Sequence, residues 1–144
     1  MHVQNILKVK GTAVATIGPD DSLADATAAL RDHGVGALVV SRDGRTIDGI
    51  VSERDVVRAL AAHGGSTLGR NVASAMSTTV TTCHGHDTVD HMMGMMTERR
   101  IRHLPVVDDD GTLAGIISIG DVVKARVGQL EIETDQLHDY LQTR

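Results

Sequence analysis

"GIVSERDVV", Gly49–Val57, and "GIISIGDVV", Gly115–Val123, are one nine-residue pattern met twice, sixty-six positions apart. Each begins with glycine, runs through branched apolar residues and ends in Ser-x-x-Asp-Val-Val. A short run of β-branched residues predicts a strand, and Ser followed three residues later by an acid predicts a helix start. Each stretch therefore reads as a strand-to-helix corner, and its recurrence decides the fold.

Sliding the chain by the same offset aligns it without a gap. Thr12 meets Thr78, Val14 meets Val80, Thr16 meets Thr82 and Asp21 meets Asp87. Further along, Leu38 meets Leu104, Val40 meets Val106, Asp43 meets Asp109, Thr46 meets Thr112 and Ala59 meets Ala125. The chain is a tandem duplication. In each copy a leading segment (Val3–Lys8; Val72–Met76) precedes a short strand (Val14–Thr16; Val80–Thr82). Ser22 and Thr88 are placed to cap the next helix. That helix would bury Leu23, Ala26, Ala29 and Leu30, or Val89, Met92, Met93 and Met96, at helical spacing. A second strand (Ala37–Val40; Leu104–Val107), an Asp-Gly turn and a third strand (Ile47–Val51; Leu113–Ile117) lead to the corner.

The expected fold is α+β: two β-α-β-β-α repeats with pseudo-twofold symmetry and a long C-terminal helix. The divisions fall at residues 1–66, 67–130 and 131–144. Neither half has enough apolar surface to stand alone comfortably. From Val123 onward, Val127, Leu130, Thr134, Leu137 and Leu141 keep a 4-3-4-3-4 rhythm. That seam suits a helix packed on its own domain or one paired with a partner subunit.

Composition narrows the function. Tyr140 is the only aromatic among Phe, Trp and Tyr, so no platform exists for stacking single-stranded bases. The formal charge of −5 argues against a general nucleic-acid binder. No apolar run approaches membrane-spanning length, no signal peptide opens the chain, and a single cysteine, Cys83, suits a reducing cytoplasm. No nucleophile lies beside a base and no Walker-type loop is present, so the chain reads as a non-enzyme. Cys83, His84, His86 and His91 could suggest zinc, but the repeat places His84 and His86 opposite Gly18 and Asp20 in a turn, so no metal site is expected.

Ser-x-x-Asp has two readings. As a cap, Ser52 or Ser118 accepts from an orphan helix N–H, while Asp55 or Asp121 sits at the positive helix end. As a binding corner, hydroxyl and free N–H groups suit phosphate, and the carboxylate suits ribose hydroxyls. The glycine ahead of each corner marks close approach of another backbone or a ligand.

The pattern Gly-apolar-apolar-Ser-x-x-Asp, preceded by "RHLPVVDDDGTLAG", closely resembles the cystathionine-β-synthase (CBS) domain family, over residues 1–130 and in both copies. The resemblance implies a tandem CBS pair, or Bateman module, of the stand-alone bacterial type. Such a module would bind an adenosine-containing ligand (AMP, ADP, ATP or NAD) in a cleft between its halves and report nucleotide status to an effector protein. It would need no further cofactor and would form a flat homodimer. By resemblance, Asp55 and Asp121 hold ribose, Ser52 and Ser118 contact phosphate, and Thr16 and Thr82 line the cleft. Gly36, Ala37 and Leu38, and Arg102, His103 and Leu104, would pack on adenine. Arg102 and His103 would also take phosphate, a role for which Gly36 and Ala37 are unsuited. Arg54 offers compensation in the first copy, where the second has Gly120. Two inequivalent sites are expected. The alternative is a ligand-free scaffold with the same fold.

Overall fold

The structure, a computed structural model, describes residues 1–143. Thirteen segments alternate as the duplication requires. In the first copy, β1 (Thr16–Ile17), α2 (Leu23–His33), β2 (Ala37–Val40), β3 (Gly49–Ser52) and α3 (Glu53–His63) follow a leading helix, α1 (Val3–Lys10). In the second, β4 (Cys83–His84), α4 (Val89–Arg99), β5 (His103–Val107), β6 (Leu113–Ser118) and α5 (Ile119–Gln142) follow two 3₁₀ turns, Gly64–Gly69 and Val72–Ser74. Each half carries a three-stranded sheet, β1-β2-β3 or β4-β5-β6, with one parallel and one antiparallel pairing. The α+β repeat architecture is as expected, and residue 144 of the expected C-terminal segment lies outside the described residues.

Capping sets the helix starts. Ser22 and Thr88 accept from the N–H of Asp25 and His91 at 3.0 and 3.1 Å, as the sequence predicts. Helix α2 then buries Leu23, Ala26 and Leu30, and α4 buries Val89, Met92 and Met96. Ala29 and Met93 stand only partly buried beside these cores. The opening strands differ from expectation. They form at Thr16–Ile17 and Cys83–His84, later than Val14–Thr16 and Val80–Thr82, because only there does the chain run alongside β2 and β5. A strand of two residues has no periodicity to reveal its register.

The leading segments are exchanged between halves. Val3, Ile6 and Leu7 of α1 belong to the core built by Cys83, Met92, Met96, Leu104, Ile117 and Val122. The Val3 and Gln4 N–H groups donate to the carbonyls of Asp87 and Gly85, each at 2.9 Å. Conversely, Val72 completes the core of Leu23, Leu38, Val51 and Val56. Its N–H donates to the Asp21 carbonyl at 2.7 Å, and Leu23 N–H donates to the Arg70 carbonyl at 2.8 Å. Each half is thus finished by the segment that precedes the other.

This exchange explains the recurrent glycines. A Cβ on Gly49 would lie 2.7 Å from the Ser77 carbonyl oxygen and 2.8 Å from the Met76 sulfur. On Gly115 it would lie 2.9 Å from a Leu7 methyl. Close approach is real at both positions, but what approaches is the exchanged segment of the same chain.

The heptad-like seam does not pack on its own domain over its full length. Val123, Val127 and Leu130 are 45, 49 and 44% exposed, Leu137 and Leu141 more so, and residues 131–143 are exposed throughout. On α3, Val57, the counterpart of Val123, is 63% exposed.

Candidate site at the two strand-to-helix corners

Both Ser-x-x-Asp stretches form complete capping boxes. Asp55 N–H donates to Ser52 Oγ at 3.3 Å, and Ser52 N–H returns a bond to Asp55 Oδ2 at 2.8 Å. In the second copy the same two bonds, Asp121 N–H to Ser118 Oγ and Ser118 N–H to Asp121 Oδ2, measure 3.2 and 2.9 Å. The helix N1 amides are also engaged: Glu53 N–H donates to Gly36 at 3.0 Å and Ile119 N–H to Arg102 at 2.8 Å. Those bonds tie each corner to the start of the neighbouring strand. The N2 amides of Arg54 and Gly120 are the helix-end donors that these caps leave over.

The two carboxylates then part company. Ser52 Oγ also donates to Asp55 Oδ2, at 3.0 Å. Asp121 Oδ2 instead accepts from Lys10 Nζ at 2.6 Å, and the same ammonium donates to the Ile116 carbonyl at 2.9 Å. Burial by itself would raise the Asp121 pKa; the bonds from Lys10 and Ser118 outweigh it and hold the carboxyl below its usual range. In the first copy Met76 occupies the position of Lys10, and the Ile50 carbonyl, counterpart of Ile116, accepts from Ser77 N–H at 2.9 Å.

Asp55 borders an open cleft of about 310 Å³ shared with Arg58, His63, Arg70 and Ser74. Two guanidiniums and an imidazole there offer donors that suit anionic groups, and the carboxylate offers an acceptor that suits hydroxyls. Sequence reasoning missed these residues and Lys10. The helical spacing of Asp55, Arg58 and Ala59 was the available signal on α3. Arg70, Ser74 and Lys10 become relevant only through the exchange.

The remaining candidates scatter. Gly36 faces His103 across the halves, where a Cβ would lie 3.2 Å from the imidazole. Burial above all, with Arg102 and Lys10 adding to it, holds the His103 pKa below its usual value. The side chains of Leu38 and Leu104 are fully buried in the two cores, and Ala37 is 3% exposed, so these positions can offer a ligand only backbone. Thr16 is exposed on β1, Thr82 is half-buried just before β4, and Arg54 and Arg102 are exposed. Cys83 lies in the second core, and burial pushes its thiol pKa up to about 12, the opposite of what a metal-binding thiolate needs. The His84 and His86 rings stack at 5.2 Å. Among the described residues, no group of three or more His, Cys, Asp or Glu side chains could hold a metal ion, and no helix is long and apolar enough to cross a membrane.

A duplicated β-α-β-β-α unit with exchanged leading segments and a capped Ser-x-x-Asp corner in each copy defines a paired-domain fold. The chain matches the CBS domain over residues 8–62 and 72–128, and it belongs to that family. It is 34% identical to the mitochondrial CBS domain-containing protein CBSX3 of Arabidopsis thaliana, over 97% of this chain and 71% of the relative. Among solved structures, a CBS-domain containing protein from Agrobacterium tumefaciens superposes with a TM-score of 0.83 at 46% identity, covering 87% of this chain and 92% of the other. A Pyrobaculum aerophilum CBS domain protein complexed with AMP gives 0.79 at 26% identity, covering 93 and 99%. The CBS domain pair of protein MJ0100, in complex with 5′-methylthioadenosine and S-adenosyl-L-methionine, gives 0.79 at 26% identity, covering 90 and 98%.

Proposed function

We propose that the chain is a regulatory module that binds an adenosine-containing ligand of the AMP, ADP, ATP or NAD type and reports its level to an effector protein, without turning it over. The observation that carries this is the cleft at Asp55, where a ribose-competent carboxylate adjoins Arg58, His63 and Arg70. The relatives solved with AMP and with 5′-methylthioadenosine and S-adenosyl-L-methionine support the ligand class. Asp55 and Asp121 would accept from ribose hydroxyls. Ser52, Ser118 and the N2 amides would face phosphate, joined by Arg54 and the cleft arginines in the first half and by Arg102 and His103 in the second. Gly36–Leu38, Arg102–Leu104, Thr16 and Thr82 would border the base through backbone and hydroxyl groups.

The module would work in the cytoplasm as a homodimer joined through α3 and α5, whose outer faces expose Val57, Leu60, Val123, Val127 and Leu130. Ligand binding shifts such an assembly only by its differential affinity for the two arrangements.

A second reading, a ligand-free scaffold, draws on two observations. The capping boxes satisfy the motif internally, and the exchanged segments account for both glycines. Thermal melting separates the readings. AMP, ATP, NAD or S-adenosylmethionine should raise the midpoint of the wild type, and Asp55→Asn with Asp121→Asn should abolish the rise while the far-ultraviolet dichroism stays native. No shift with any of these compounds leaves the scaffold.

A further inference from the structure

We infer that Lys10 makes the second-half site select ribosides that carry a phosphate. The inference rests on the ribose-binding reading above and goes beyond it. A vicinal diol presents two hydroxyl donors, which a carboxylate receives best with one on each oxygen. At Asp121, Oδ2 already holds the Ser118 N–H at 2.9 Å and the Lys10 ammonium at 2.6 Å, so that oxygen is occupied. At Asp55, the corresponding oxygen holds the Ser52 N–H and the Ser52 hydroxyl. A hydroxyl turns away by rotation about one bond, whereas an ammonium must give up a charged partner.

Lys10 is poorly placed to lose that partner. Its side chain is 34% exposed, and its ammonium is also anchored to the Ile116 carbonyl at 2.9 Å. A neutral riboside that took Asp121 would leave the ammonium without its carboxylate, held only by the Ile116 carbonyl. A ribose phosphate brings its own anion, to which Lys10 can transfer. The first half has no equivalent, because Met76 stands where Lys10 stands and packs beside Gly49.

Isothermal titration of Asp55→Asn protein, which leaves the second site, with adenosine and with AMP tests this. AMP should bind at least tenfold more tightly than adenosine. In Asp55→Asn/Lys10→Met, and equally in Asp55→Asn/Lys10→Gln, that preference should fall at least fivefold, mainly because adenosine binds more tightly. Melting curves check that each variant is folded. A preference unchanged within twofold in both variants overturns the inference alone. So does binding by the wild type with none by Asp55→Asn, which would confine the ligand to the first half. A wild type that binds neither compound removes the ribose-binding reading and this inference together.

Discussion

Lys10 reaches Asp121 across 111 positions of sequence, placing its ammonium 2.6 Å from the carboxylate. The bond joins the last residue of α1 to the strand-to-helix corner of the other copy. With side chains 34 and 25% exposed, the pair contributes stability on the order of 1 kcal/mol or less. Its importance lies in what it makes unequal, since Met76 and Asp55 form no such pair.

The second half is expected to be the acid-sensitive one. His103 is held below its ordinary pKa of 6.5, chiefly by burial and then by Arg102 and Lys10, against the opposing pull of Glu53 and Asp121. The unfolded chain therefore takes up a proton near pH 6.5 that the folded chain refuses, and stability falls as the pH drops below that value. Asp121, lowered from 3.8, adds a second loss as the pH falls through its folded value. Urea unfolding at pH 7.5 and 5.5 should show the first loss, and His103→Gln should flatten it. Parallel profiles for the two proteins would contradict the assignment.

Gly49→Ala and Gly115→Ala should differ in cost. The new methyl at residue 49 meets a backbone carbonyl oxygen at 2.7 Å, which cannot yield without moving the exchanged segment. At residue 115 it meets the end of the Leu7 side chain, which can swing aside. Overpacking of this kind costs about 1–3 kcal/mol. Gly49→Ala should fall at the upper end and Gly115→Ala at the lower, read as midpoints in urea.

Ile6→Ala should destabilise the half that lies later in sequence. Ile6 is 7% exposed in the core formed with Met92, Leu104 and Ile117. Truncation there should cost about 2–5 kcal/mol. Hydrogen exchange should accelerate in β5 and β6 more than in β2 and β3, and the reverse order would refute the exchanged packing.

Arg100→Gly should stabilise the protein. Arg100 ends α4 in the left-handed region at φ 54°, the position that Gly34 fills at the end of α2 with φ 63°. That conformation costs a non-glycine residue about 1–2 kcal/mol, partly offset by glycine's greater freedom when unfolded. A net gain of about 0.5–1 kcal/mol is expected in thermal or urea unfolding.

The repeat, the helix caps and the two corners were legible because they depend on local chemistry: a hydroxyl three residues before an amide, or apolar residues at helical spacing. The opening strands lie later than expected because Ile17, Cys83 and His84 become strand only by pairing with β2 and β5. The glycines were correctly read as points of close approach. Local sequence cannot say what approaches, and the answer was Ser77 and Leu7 rather than a ligand. Lys10 and Arg70 escape notice for the same reason, because a segment that crosses to the other copy leaves no periodic trace, whereas Arg58 was within reach of the helical spacing from Asp55 on α3.

The exchange also imposes an order on synthesis. The first core is complete once Val72 has left the ribosome, and Ser77 then closes against Ile50. The second core needs Val3, Ile6 and Leu7, which are made before the first core, and must wait for Val122. At typical translation rates that wait is on the order of ten seconds. For the latter part of it, a short amphipathic helix with no finished surface to cover precedes an already complete half, so a segment made before the first core finds its place only after that core is built.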